Sequence, residues 1–133
     1  MAPIHSLEQA FAHARSYLAA MEARRLQEAQ TFLSPDARIT FPGGRVLTDV
    51  AAIAANSGSR YRTVAKNIQT WEGFEASPGK WVVYCHGTLY GDWGDGTPFE
   101  GIRFIDRFEI GAEGIRAQNV WNDAGEAKLA RLG

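Results

Sequence analysis

Ile102-Arg103-Phe104-Ile105-Asp106-Arg107-Phe108-Glu109-Ile110 reads as two interleaved sets of residues. One set is Ile102, Phe104, Asp106, Phe108 and Ile110; the other is Arg103, Ile105, Arg107 and Glu109. Successive side chains of a strand point to opposite faces, so this alternation predicts a half-buried strand whose apolar face carries a single acid. Desolvating a lone carboxylate is costly, so Asp106 must be paired, hydrogen-bonded, protonated or turned towards a polar cavity. A structural aspartate, capped by amides or paired with an arginine, stands as the alternative to a pocket role.

Residues 61–75, 80–90, 99–110 and 115–123 share the β-branched and aromatic texture of strands. Short turns at Ser77-Pro78-Gly79, at residues 94–98 and at residues 111–114 separate them, which argues for antiparallel pairing. The N-terminal part is helical. Ser6 and Gln9 form a capping box, and Phe11, Ala14, Tyr17, Leu18 and Met21 recur at helical spacing up to about residue 24. A second helix over about 26–33 is stopped by Pro35, residues 37–41 are extended, and Thr48 caps a third helix to about residue 55. Helices first and a strand meander afterwards is the order of an α+β domain with helices on one sheet face.

A chain of 133 residues accommodates one domain, here 1–133, with a substantial core. Fourteen lysines and arginines against 15 acids provide no broad basic field, so neither nucleic acid nor a membrane surface is expected as a partner. No signal-peptide pattern and no apolar run near the ~20 residues of a membrane span is present. The single cysteine, Cys85, excludes an internal disulfide and fits a reducing cytoplasm. His5, His13 and His86 lack metal-ligand spacing, so no metal site is expected.

The space between a sheet and helices on its concave side is a natural ligand cavity. Tyr17, Asp106, Trp121 and Asp123 are the candidates to face it. Trp121 alternates with Asn119 and Asp123, giving that side of the last strand the mixed character of a pocket lining. Each has a plainer reading: Tyr17 and Trp121 as core, Asp123 as a turn acid. Strand 80–90 has two possible inward sets, and His86, a candidate pocket base, belongs to the set opposite Cys85. Trp93 is placed on an exposed hairpin, as a lid or subunit contact.

Ser16-Tyr17-Leu18-Ala19-Ala20-Met21, Leu33-Ser34-Pro35-Asp36-Ala37 leading into Phe41-Pro42-Gly43-Gly44, Phe104-Ile105-Asp106-Arg107-Phe108 and Val120-Trp121-Asn122-Asp123 occur in an order and spacing that resembles the nuclear transport factor 2-like superfamily. That superfamily includes ketosteroid isomerases and SnoaL-like cyclases. The resemblance implies a cone-shaped, curved antiparallel sheet with N-terminal helices on its concave face, a cystatin-like α+β fold. It also implies that Tyr17 and Asp106 correspond to an oxyanion-hole pair, with Phe104 and Phe108 as apolar surroundings able to keep an acid neutral. Where the isomerases carry a general-base aspartate, this sequence has Phe41.

The expected ligand is therefore a flat, hydrophobic small molecule with a carbonyl or phenol. The expected chemistry is that of a cofactor-independent isomerase, cyclase or lyase, with Asp106 and Tyr17 catalytic. Trp121, Asp123, Phe41, Phe104, Phe108, Asn119 and His86 are expected to line the site, in a homodimer formed through the sheet. A non-catalytic binding or dimerisation module is the alternative, motivated by Phe41.

Overall fold

The computed structural model describes residues 3–132. Helix α1 (Leu7–Glu22) starts at Ser6, whose Oγ accepts the Gln9 N–H. The Gln9 side chain accepts the His5 N–H at 2.7 Å, one residue outside the cap. Ala10 and Ala14 are fully buried on its inner face, and their small side chains let α1 lie close against the sheet. His13 ties the helix to the next segment by donating from Nε2 to the Phe32 carbonyl at 2.8 Å.

Helix α1 ends in a left-handed turn. The Arg25 N–H reaches the Ala20 carbonyl, and Arg24 between them has φ of 60°. Glycine is favoured at such a position, and a residue with a Cβ carries a strain of roughly 1–2 kcal/mol there.

Helix α2 (Leu26–Gln30) is shorter than predicted, because strand β1 (Leu33–Thr40) already begins before Pro35. The two-residue β2 (Val46–Leu47) and helix α3 (Val50–Gly58) follow. Asp49, rather than Thr48, caps α3: its Oδ1 accepts the Ala52 N–H at 2.8 Å, and aspartate serves this position at least as well as threonine. Four long strands come next, β3 (Tyr61–Ser77), β4 (Lys80–Trp93), β5 (Pro98–Gly111) and β6 (Gly114–Asn122), then helix α4 (Ala124–Leu132).

The strands form one six-stranded sheet in the order β2-β1-β6-β5-β4-β3. Pairing is antiparallel except between β1 and β6, so the sheet is mixed rather than antiparallel throughout. Tight turns dictate antiparallel neighbours, but β1 and β6 are far apart in the chain and no turn constrains their direction. Their register breaks between Leu33 and Arg38, and Pro35 lies within that irregular stretch, where no regular ladder requires its missing N–H.

Glycines permit the curl of the sheet. A Cβ on Gly87 would run into the Asn67 carbonyl, and one on Gly91 into that of Thr63. Register shifts in β3 at both places add twist. At the narrow end the core is dense, with Val83, Phe108, Ile110, Ile115 and Ile39 all at most 1 % exposed. Trp93 is buried rather than exposed: it stacks on Tyr61 at 5.5 Å and meets Phe99 at 4.5 Å. Arg131 of α4 lies 5.4 Å over its ring while its Nη2 donates to Asp95 at 2.8 Å. No helix among the described residues is long and apolar enough to cross a membrane.

Candidate functional site

Between α1, α3 and the curled sheet lies a cavity of about 340 Å³. Strand β5 enters it with Phe104 and Asp106. The face Ile102, Phe104, Asp106, Phe108, Ile110 is at most 5 % exposed, whereas Arg103, Ile105 and Glu109 are open to solvent. Phe108 lies beneath the cavity rather than in its wall, with its ring edge-on to Tyr17 at 6.3 Å between centroids. Phe41 and Phe104 line the cavity without filling it.

Asp106 is completely buried, and neither carboxylate oxygen has a hydrogen-bond partner among the described residues. Its polar neighbours are the Lys66 ammonium, 3.5 Å from Oδ2, and the amide of Gln118. Burial pushes the Asp106 pKa above the usual carboxylate range, while Lys66 and Gln118 act against that shift. Tyr17, 1 % exposed, also lines the cavity, and its hydroxyl donates to no described residue. Burial first, and the charge of Asp106 second, hold the Tyr17 phenol well above its ordinary pKa, so it remains a donor. Cys85, the cross-strand neighbour of Asp106, is held at about 12 by burial and by that same charge, and so stays a thiol.

Strand β6 presents the face opposite to the one expected. Residues paired across strands share a face, and Asp106 pairs with Val120, Phe104 with Asn122 and Phe108 with Gln118. Gln118, Val120 and Asn122 therefore line the cavity. Trp121 pairs with Ile105 on the outer face and is 50 % exposed, and Asn119 pairs there with Arg107. Asp123 lies beyond the strand, in an ion pair with Arg103. His86 is also on the outer face, across from Ile105. These four are not in the cavity.

The cause is one residue. Ile110 pairs with Ile115, but Glu109 pairs with Ala117, so Arg116 is an extra residue bulged out of the ladder. A regular hairpin from the same turn would set Asp106 against Asn119 and turn Trp121 inward.

Lys66, Gln118, Asn122, Arg24 and Arg60 line the cavity without having been singled out from the sequence. Lys66 was readable by the reasoning that found Asp106, since it stands between Val64 and Ile68 on an otherwise apolar alternation. Its Nζ lies 5.3 Å from the Phe104 ring centre.

No protein-family model and no curated protein sequence matches this chain. Solved structures do. LinA superimposes with a TM-score of 0.76 at 14 % identity, over 86 % of this chain and 84 % of that one. A putative polyketide cyclase from Xanthomonas campestris pv. campestris matches at 0.70 and 14 % identity, over 90 % and 93 %. An NTF2-like protein of unknown function from Burkholderia pseudomallei matches at 0.69 and 17 %, over 88 % and 92 %. At these identities the likeness is one of architecture: α+β, a curved sheet, helices on its concave side. The chain has the nuclear transport factor 2-like fold.

Proposed function

We propose that the cavity binds a flat, hydrophobic molecule carrying a carbonyl or phenol, and that the protein acts on it as a cofactor-independent isomerase, cyclase or lyase. The observation that carries this reading is the Asp106 carboxylate, wholly buried, lining the cavity and met among the described residues only by Lys66 at 3.5 Å and by the Gln118 amide. A core selected only for stability would replace such a group by an apolar one. With Phe41 where a separate base would stand, Asp106 takes both proton-transfer roles. It removes a proton from the carbon beside the ligand carbonyl. The electron pair moves onto the carbonyl oxygen, which accepts a hydrogen bond from Tyr17. Asp106 then returns the proton at another carbon (isomerisation), or the enolate carbon attacks a second carbonyl, whose π pair moves onto its oxygen and takes the proton back from Asp106 as the ring closes. Lys66 balances the charge of Asp106 through the cycle.

The test is binding of 2-naphthol, whose emission separates neutral from ionised forms, to wild type, Tyr17→Phe and Asp106→Leu. Binding weakened at least tenfold by both substitutions supports the reading; equal binding to all three, or none to any, overturns it. A second reading, a binding module without turnover, has Phe41 in its favour, together with the lack of a direct Tyr17–Asp106 hydrogen bond. It predicts naphthol binding but no proton exchange of a bound ketone with deuterated solvent.

The same proposal includes a homodimer through the outer sheet face, where Ile105, Tyr90 and Trp121 are 37–50 % exposed. Residence in the cytoplasm belongs to it too, supported by the one, buried, unpaired cysteine.

A further inference from the structure

The charged residues lining the cavity are not balanced. Arg15, Arg24, Arg60 and Lys66 face Glu22 and Asp106, in a chain whose net charge is −1. Lys66 and Asp106 pair with each other in the interior. Glu22 is engaged as well, its Oε1 accepting the Lys66 backbone N–H at 2.8 Å. Arg15 is held above the Phe11 and Trp71 rings, 5.8 and 5.2 Å from their centres. Arg24 and Arg60 remain, both exposed at the ends of α1 and α3 where the chain turns back over the cavity mouth.

Among the described residues Arg25, Arg103, Arg107, Arg116 and Arg131 each lie within ion-pair distance of a carboxylate, Arg38, Arg45 and Arg62 do not, and none of these eight lines the cavity. None of the three arginines that do line it is paired with a described residue. Arg24 is, in addition, the one non-glycine residue with positive φ among those described. A left-handed position that favours glycine has been given to a long cationic side chain at the cavity mouth. Strain of this kind collects where a side chain has a task. The attraction of a cation to a helix C-terminus does not account for it, because a basic residue in the last turn of α1 would serve that end without left-handed backbone, and that turn has none.

We infer that the ligand is an amphipathic carboxylate: its carbonyl or phenol end reaches Tyr17 and Asp106, its apolar body lies against Phe104 and Val120, and its acid group is held at the mouth by Arg24 and Arg60. The guanidinium fork matches a carboxylate in shape and in charge. The inference rests on the cavity-binding reading above and adds the chemical class of the ligand. Arg24 and Arg60 are specificity-determining residues that act on affinity, distant from the reacting atoms.

The experiment compares 6-hydroxy-2-naphthoic acid with 2-naphthol, which is the same ring without the acid, by fluorescence titration of wild type, Arg24→Gly, Arg60→Gln and the double variant. Both positions are exposed, and Arg24→Gly supplies the residue that left-handed backbone prefers, so it raises the melting temperature. Wild type is expected to bind the acid at least tenfold more tightly than naphthol, with a preference that shrinks as salt is added. Each single variant reduces that preference to threefold or less, and the double variant abolishes it, while naphthol binds all four proteins alike. Equal binding of the two probes to wild type, or a preference untouched by the variants, overturns the inference and leaves the cavity reading standing. Failure of both probes to bind overturns the two together. Val120→Trp, which fills the cavity, must eliminate binding of both probes; binding that survives it lies elsewhere and counts against the inference.

Discussion

Lys66 Nζ stands 3.5 Å from Asp106 Oδ2, and the two are unequally placed: the lysine side chain is 27 % exposed and the aspartate not at all. The ammonium keeps part of its hydration while the carboxylate has lost all of its own. The desolvation cost of the pair therefore falls mainly on Asp106, which lines the cavity.

That asymmetry fixes the sign of a stability effect. The folded-state pKa of Asp106 is raised by burial, so the stability associated with its protonated form is fully present below the unfolded value of about 4 and is lost as pH rises through the folded value. Asp106→Asn keeps the shape and removes the charge. It is expected to be more stable than wild type by about 1 kcal/mol at pH 8, with the difference vanishing towards pH 4. Urea denaturation at the two pH values measures this. Destabilisation at pH 8 would instead make the carboxylate a structural group.

Lys66 holds the Asp106 pKa down against burial. Lys66→Met is expected to move the titration of the Asp106 carboxyl carbon, followed by NMR, upward by about one unit or more. Lys66→Arg should restore most of the shift. A titration curve that does not move would mean that the charge of Lys66 is spent on solvent.

Gly87 is where β3 and β4 fold over one another. Gly87→Ala places a methyl group against the Asn67 carbonyl, backbone that cannot swing away. A loss of about 3 kcal/mol or more is expected in urea melts. Gly43→Ala is the comparison: an added Cβ there meets no atom within 4 Å, and only its left-handed φ opposes the change.

Trp121 tests the outer face. Wild type is expected to sediment as a dimer, and Trp121→Glu, which sets a charge beside Ile105, as a monomer. The substitution lies on the side of the sheet away from the cavity, so naphthol binding should persist. A monomeric wild type would remove the dimer from the proposal.

The sequence made the order from α1 to β6 largely plain because each long strand carries its own period and each turn its own glycine or proline, whereas α4 beyond β6 was not anticipated. Asp106 was legible for the same reason, as an acid out of place in an apolar alternation. What could not be read was everything that depends on pairing. A bulge at Arg116 leaves no mark in the local pattern, since arginine suits an exposed strand position whether or not it is paired. Yet it reverses every side chain after it, exchanging Asn119, Trp121 and Asp123 for Gln118, Val120 and Asn122. The parallel direction of β1 is likewise invisible, being decided by a partner more than 70 residues away in the chain. The Lys66–Asp106 pair joins two strands that are not neighbours, so no single strand pairing foretells it.

That curl bears on how such a protein changes its trade. The room inside the cone is made by backbone, by strands bent at Gly87 and Gly91, and only its furnishing is side chain. Val64, Ile68 and Val120 can be exchanged for larger, smaller or more polar residues while the vault above them keeps its span. On the binding role proposed above, new ligands are within reach of single substitutions at the wall, whereas the two glycines are positions from which drift has nowhere to go.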